Sequence, residues 1–338
     1  MKNYKKILCL CAAALLLTVN PAFSQSTDIE KLRDSVISFS DEMAKALPFN
    51  STIGLNWSDA YIGQLLSIPP HFGIGITVGA TTVKMSAIDG LLELFNADLP
   101  INWSIGFPLP AYTTEARIGG FILPFDVGIK FGYLGSVDLF NVDIDYMLFG
   151  GDLRYALVNS KVFPVKLSVG LGFNHLTGGI STTVSGNIPE FSFKDPVTED
   201  MYTMNISKPK IGLLWQTNTL ELKTQISFPL LIVTPYAGAG VSYAWSSAGY
   251  NVKTTTRFTK NDVETEIDPV IINLLKENGG LTDVSDKGIE SIIEVDDWNV
   301  RVFGGISINI AVIRFDLTAM YNFTGGNFGA SFGLRFQL

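Results

Sequence analysis

From Phe328 to Leu338 every second residue is apolar: Phe328, Ala330, Phe332, Leu334, Phe336 and Leu338 alternate with Gly329, Ser331, Gly333, Arg335 and Gln337. A period of two places the two sets on opposite faces of a β-strand. Ile313 to Phe323 repeats the scheme, with Arg314, Asp316, Thr318 and Asn322 on the polar face, and Thr324-Gly325-Gly326-Asn327 between the two runs is a tight-turn sequence. Trp298 to Ile310, Val233 to Trp245, Leu220 to Phe228, Phe163 to Phe173, Asn141 to Leu157, Phe125 to Tyr133, Tyr112 to Ile122 and Phe72 to Thr81 alternate likewise. Within Asn141 to Leu157 the apolar parity changes across Gly150-Gly151, which predicts a β-bulge there, with a turn as the alternative.

The spacing differs before these runs. In Thr27 to Leu47 the residues Ile29, Leu32, Val36, Phe39, Met43 and Leu47 recur at helical intervals, and Pro48 reads as a stop. This short amphipathic helix either packs on the periplasmic rim of the strand assembly or plugs its interior. Further upstream, Lys2, Lys5 and Lys6 precede the apolar run Ile7 to Val19 and the small-x-small sequence Ala22-Phe23-Ser24. That is the pattern of a secretory signal peptide over residues 1–24. The organisation expected is therefore a leader (1–24), a helical segment (25–50) and a strand-built body (51–338). Cys9 and Cys11, the two cysteines, lie in the leader, which excludes disulfides and Cys-based metal or nucleophile chemistry from the remainder.

Composition decides what the strands face. The chain is 47% hydrophobic and only 17% charged. Past the leader no stretch has the length of a membrane helix. An exported chain this apolar satisfies its backbone in lipid as a closed barrel. The expectation is an all-β transmembrane antiparallel barrel in the outer membrane, of about twelve strands, with ten and fourteen open. Eleven runs alternate if Ser51 to Tyr61 is included, and an even count requires that segment to be lumenal or periplasmic, or a further strand to lie within Leu99 to Phe107 or Lys208 to Phe228. With the C-terminus in the periplasm, the polar segments Gly179 to Ser207 and Gly249 to Asp297 are extracellular. Tyr112, Tyr133, Trp245, Trp298, Tyr321 and Phe336 suit interfacial girdles. The last strand is of the kind that barrel-assembly machinery recognises, so that machinery and outer-membrane lipid are the expected partners. Removing the leader leaves 21 basic against 32 acidic side chains, a net charge of −11. No nucleic acid is expected.

Little in the sequence points to chemistry. His71 and His175 stand in no catalytic motif and read as hydrogen-bonded turn or rim residues. No catalytic residue, cofactor or metal is predicted, and the chain is not expected to be an enzyme. The strand parity predicts a lumen bearing Glu115, Arg117, Asp126, Lys130, Asp143, Asp145, Lys166, Glu221, Lys223, Arg301, Arg314, Asp316 and Arg335, charges that must be paired or wetted. Two outer connections carry apolar helical spacing, Met85 to Asn96 and Asp268 to Asn278, and Ile88, Leu91, Leu92, Phe95, Ile271, Leu274 and Leu275 are their candidate contacts for a small hydrophobic ligand. With a helix before the barrel, helical outer loops and medium size, the chain resembles the FadL-type channels for hydrophobic compounds. That resemblance implies a passive channel for small hydrophobic molecules. The alternative is a structural or host-contact surface protein whose outer loops are its working part, and a barrel enzyme is a third class.

Overall fold

The computed structural model describes residues 26–62, 70–85, 105–120, 124–139, 142–159, 164–183, 191–194, 201–206, 210–253, 256–261, 263–264 and 289–338. One helix, α1 (Ser26–Ser51), precedes the strands β1 (His71–Val83), β2 (Phe107–Gly119), β3 (Phe125–Leu139), β4 (Val142–Asn159), β5 (Lys166–Thr183), β6 (Phe191–Lys194), β7 (Met201–Ile206), β8 (Lys210–Ser227), β9 (Val233–Lys253), β10 (Thr256–Lys260), β11 (Val263–Glu264), β12 (Ile289–Ile310), β13 (Ile313–Asn322) and β14 (Asn327–Gln337). Ten of these close a barrel in the order β1-β14-β13-β12-β9-β8-β5-β4-β3-β2. The remaining four, from the two long connections, make a separate sheet ordered β11-β10-β7-β6. Ten wall strands replace the twelve expected. Ser51 to Tyr61 forms no strand; it lies buried inside the barrel, with Asn56, Ser58 and Asp59 among polar wall side chains.

The wall meets the alternation read from the sequence. Leu334, Phe332 and Phe328 on β14 and Phe72, Ile74, Ile76 and Val78 on β1 are exposed on the outside, as lipid-facing side chains must be. Among the described residues no helix is long and apolar enough to cross a membrane. The crossing is made by strands, whose N–H and C=O groups bond around the ring from the Gly73↔Gln337 pair onward. Trp298, Tyr133 and Trp245 face outward, and the Tyr243 and Trp298 rings lie 5.1 Å apart. One end of the barrel carries the C-terminus and short turns such as Ala311–Val312, where Ala311 takes φ 53°. The other end carries the connections to β6, β7, β10 and β11, which marks it as extracellular.

Three local expectations change. First, β4 is unbroken at Gly150-Gly151, whose partners Asn174 and Phe173 are consecutive; the irregularities lie at Leu134/Val137 and Ala156/Val158. The apolar parity changes because the surroundings change: Tyr146 and Leu148 point inward onto apolar residues of α1, whereas Leu153 and Tyr155 point outward to lipid. Second, β5, β9 and β12 run into the segments Gly179 to Ser207 and Gly249 to Asp297, which the sequence assigned to polar outer connections. Third, α1 continues through Pro48 to Ser51. Its end is satisfied locally, since Ser51 Oγ donates to Pro48 O (2.7 Å) and Thr52 Oγ1 to Phe49 O (2.7 Å).

Candidate functional site

The interior of the barrel is occupied by its own N-terminal segment. In the outer half, Phe39, Met43, Ala44 and Leu47 of α1 pack against Val83, Leu148, Leu176, Trp215 and Ala248 of the wall. Below them Phe49 and Ile53 meet Ala111, Tyr236, Phe303 and Met320. The end of the helix from Phe39 onward thus lies within the lumen. Glu42 and Lys84 line a cavity of about 230 Å³ at the outer mouth, with Asp297, Asn299 and Asn327.

Beyond Ser51 the segment loses helical form, and the wall supplies partners for its backbone. Lys130 Nζ donates to Ser51 O and Ile53 O, both at 2.7 Å. Gly54 and Leu55 adopt φ of 88° and 57°. This turn brings Leu55 N–H to Glu115 Oε2 at 2.9 Å, and a Cβ at Gly54 would lie 2.9 Å from Glu115 Oε1. Trp57 Nε1 also donates to Glu115. Gln225 Nε2 donates to Trp57 O (2.7 Å), Ser227 Oγ accepts from Ala60 N–H (3.0 Å), and Asp126 Oδ2 accepts from Ile62 N–H (2.9 Å). Segment and wall are therefore joined along the whole passage, which a buried irregular backbone requires.

The charges form a continuous set. Asp126 receives Arg117 Nη1 and, at 2.8 Å each, Arg154 Nε and Nη2. Arg117 Nη2 donates to Asp152 Oδ1 at 2.6 Å, and Lys223 Nζ pairs with Asp152 Oδ2 at 2.6 Å. Arg301 grips Glu221 with two bonds, 2.6 and 3.1 Å, and reaches Asn56 Oδ1 at 3.2 Å. On the facing wall Arg335 binds Asp316 (2.6 and 3.2 Å), Gln337 (2.6 Å) and Asp59 of the plug (3.1 Å), while Arg314 also meets Asp59 at 3.1 Å. Arg335 lies over the Trp57 ring at 4.8 Å. Six carboxylates (Asp59, Glu115, Asp126, Asp152, Glu221, Asp316) thus offset seven cations (Arg117, Lys130, Arg154, Lys223, Arg301, Arg314, Arg335), the seventh held by backbone carbonyls. What remains open beside Lys130, Asp152, Glu221 and Lys223 is a void of about 10 Å³, room for no more than one water.

Of the lumenal charges read from the sequence, Glu115, Arg117, Asp126, Lys130, Glu221, Lys223, Arg301, Arg314, Asp316 and Arg335 meet in this set, and Lys166 begins β5 at the periplasmic rim. Asp143 and Asp145 do not belong to it. They take the outward parity of β4 above the lipid-facing band, where Asp143 pairs with Lys210 at 2.6 Å. The bulge placed at Gly150-Gly151 is the reason for that error, since it turned Val142, Ile144 and Tyr146 toward lipid; Asp152 and Arg154, which share the lumenal face, were not named. Their alternation with Leu153 and Tyr155 was the available signal. Asp59 and Trp57 were missed because the period of two in Ser51 to Tyr61 does not say which wall residues the segment meets. The histidines are far from one another: His71, at the periplasmic start of β1, meets Tyr61 edge-on at 6.4 Å, and His175 bonds Asn218 Oδ1 at 2.8 Å in the outer half. Ile88, Leu91, Leu92, Phe95, Ile271, Leu274 and Leu275 lie outside the described residues, as does the leader.

One seam in the wall is shorter than the rest. β2 and β3 pair only from Thr114↔Phe131 to Gly119↔Asp126, while β2 continues outward through Pro110 and Pro108, which lack N–H donors. Tyr146 reaches across the start of this gap, stacking on Tyr112 at 5.3 Å and donating from Oη to Tyr112 O at 3.3 Å.

No protein-family model and no curated protein matches the chain. Solved structures to which it is similar are bacterial outer-membrane barrels. The outer membrane protease OmpT from Escherichia coli aligns over 80% of this chain and 99% of its own length, at 10% identity and a TM-score of 0.38. A major outer membrane protein from Thermus thermophilus aligns over 80% and 100%, at 9% and 0.31. A Pseudomonas aeruginosa FadL homologue aligns over 79% and 90%, at 9% and 0.23. Similarity at this level extends no role to the present chain.

Proposed function

We propose that this outer-membrane β-barrel is a sealed, non-enzymatic scaffold whose work is done at its outer face, as a structural or contact protein of the cell surface. The observation that carries the reading is the lumen: residues 39–62 fill it, and their backbone and charges are bonded to the wall down to a void of about 10 Å³. A solute pore needs a connected water path, and among the described residues the packing around Asp126, Lys130 and Leu47 speaks against one. The long outer strands and the separate four-stranded sheet give the extracellular end its own structure, larger than the turns at the periplasmic end. The test is conductance of the refolded full-length protein in a planar bilayer. No steady open-pore current is expected, and a stable ohmic conductance would overturn the proposal.

A second reading follows from the seam between β2 and β3. A small hydrophobic molecule could enter sideways from lipid past Tyr112 and Tyr146 to the apolar contacts around Leu148 and Phe39, without an aqueous pore. Uptake of a hydrophobic probe by proteoliposomes, changed by Tyr146→Ala in a barrel that still conducts no ions, would favour this reading. Equal uptake with and without the protein would remove it.

A further inference from the structure

The direction in which the plug runs has a topological consequence. Ile62 is bonded to Asp126 beside the periplasmic turn that joins β2 to β3, and Ala60 to Ser227 at the periplasmic end of β8. Ser51 lies at mid-wall, its Oγ 3.1 Å from Thr219 Oγ1. Glu42 lies 3.6 Å from Lys84, the residue that follows β1 at its outer end. Read backwards, the segment therefore climbs from periplasm to exterior. Sixteen residues of α1 precede Glu42, from Ser26 to Asp41, and they extend the helix by about 24 Å. The wall from Thr219 to the outer end of β8 is nine residues, roughly 23 Å of height once a strand tilt of about 40° is allowed for, whereas the 26 residues of α1 measure about 39 Å. The lumen cannot hold that length. Ser38, just beyond the buried Phe39, is already exposed.

We infer that the barrel carries the head of its own chain to the outside of the cell, so that the start of α1 and whatever precedes it in the exported protein are displayed at the extracellular surface. Export by a leader delivers an N-terminus to the periplasm, and a helix docked on the periplasmic rim would have left it there. The charged contacts at Asp59, Asn56 and Glu115 hold the passage in one direction, because each plug residue meets a wall residue at its own height. The partner this display would serve is one that approaches from outside, in line with the surface-contact reading, but the topology stands whether or not that reading does.

Thiol accessibility tests it directly. Cys9 and Cys11 are the chain's cysteines, so a C9A/C11A background is free of thiol. In that background S26C and S38C are introduced singly, with L231C in the fully exposed turn between β8 and β9 as the periplasmic reference. Cells are treated with a membrane-impermeant maleimide before and after lysis, and folding of each variant is checked by heat-modifiable mobility. S26C and S38C are expected to label to the same extent on intact and lysed cells, and L231C only after lysis. Labelling of S26C only after lysis, in a folded barrel with L231C likewise protected, would overturn the inference. If S26C does not fold, a short epitope inserted between Gln25 and Ser26 and read by antibody on intact cells decides in the same two ways. Ion conductance plays no part in these readouts, so failure here and failure of the sealed-scaffold proposal are separate results.

Discussion

Asp126 is the lumenal carboxylate whose loss should be felt most. It is fully buried and accepts four bonds, from Arg117, twice from Arg154 and from the Ile62 backbone. In Asp126→Ala those donors lose their acceptor where no bulk water replaces it. Arg117 keeps Asp152 and Arg154 keeps the Asp59 carbonyl, so neither guanidinium is stranded completely. The effect then falls inside the range for breaking a buried ion pair, about 3–5 kcal/mol. At about 4 kcal/mol, with a factor of ten for each 1.4 kcal/mol, the folded-to-unfolded ratio falls by roughly a thousandfold. The assay is urea unfolding of the refolded barrel in micelles or thin bilayers, followed in two ways. Fluorescence of Trp57, 3% exposed against Glu115 and Arg335, reports the plug once Trp103, Trp215, Trp245 and Trp298 are replaced by Phe, and gel mobility without heating reports the wall. Both midpoints should fall. A loss below about 1 kcal/mol, the scale of solvated ion pairs, would mean that water surrounds Asp126 and would refute the filled lumen.

Other consequences can be checked with single or paired substitutions. Ser51→Cys with Thr219→Cys, whose hydroxyl oxygens are 3.1 Å apart, should form a disulfide that tethers plug to wall, detected as a band that retains residues 26–51 after proteolytic cleavage between Thr52 and His71 until reductant is added. Gly128→Ala puts a methyl 2.7 Å from both Arg117 Nη2 and Asp152 Oδ1, so the pair must separate, and a loss of about 1–3 kcal/mol is expected in the same urea titration. Lys130→Met leaves the carbonyls of Ser51 and Ile53 without their donor. It should lower stability by about 1–3 kcal/mol and make the plug, read by Trp57 fluorescence, unfold at lower urea than the wall.

The wall was legible in the sequence because lipid is a uniform solvent: wherever a strand crosses it, the outward parity is apolar and the inward parity follows. Arg335, Asp316, Glu221 and Arg117 were placed inside on that ground alone. The interior was less legible because it has two solvents of its own. Around Asp126 the wall faces charges, and there polar parity means inward. Around Leu148 and Tyr146 the wall faces Phe39 and Leu47, and there apolar parity means inward, which was mistaken for a bulge. Periodicity gives the contrast between two faces and not the identity of either. Ser51 to Tyr61 stayed open between strand and lumenal segment for a related reason: its conformation is dictated by hydrogen bonds with Lys130, Glu115 and Gln225, residues up to about 170 positions away in the chain, and no local pattern encodes them. The outward reach of β9 and β12 was hidden because strands that leave the membrane no longer need an apolar side.

The ring is clasped where β1 meets β14, from Gly73↔Gln337 to Thr81↔Gly329, a joint between the earliest and the latest strands to leave the ribosome. Residues 39–62 are made before either, yet end encircled by both. A hoop whose bore matches its occupant this closely is more easily wrapped than stuffed, so the N-terminal segment would serve as a mandrel on which the strands are wound before the clasp shuts. Loosening its grip would then reduce how many barrels are completed, a defect of manufacture that measurements on the finished molecule would not reveal.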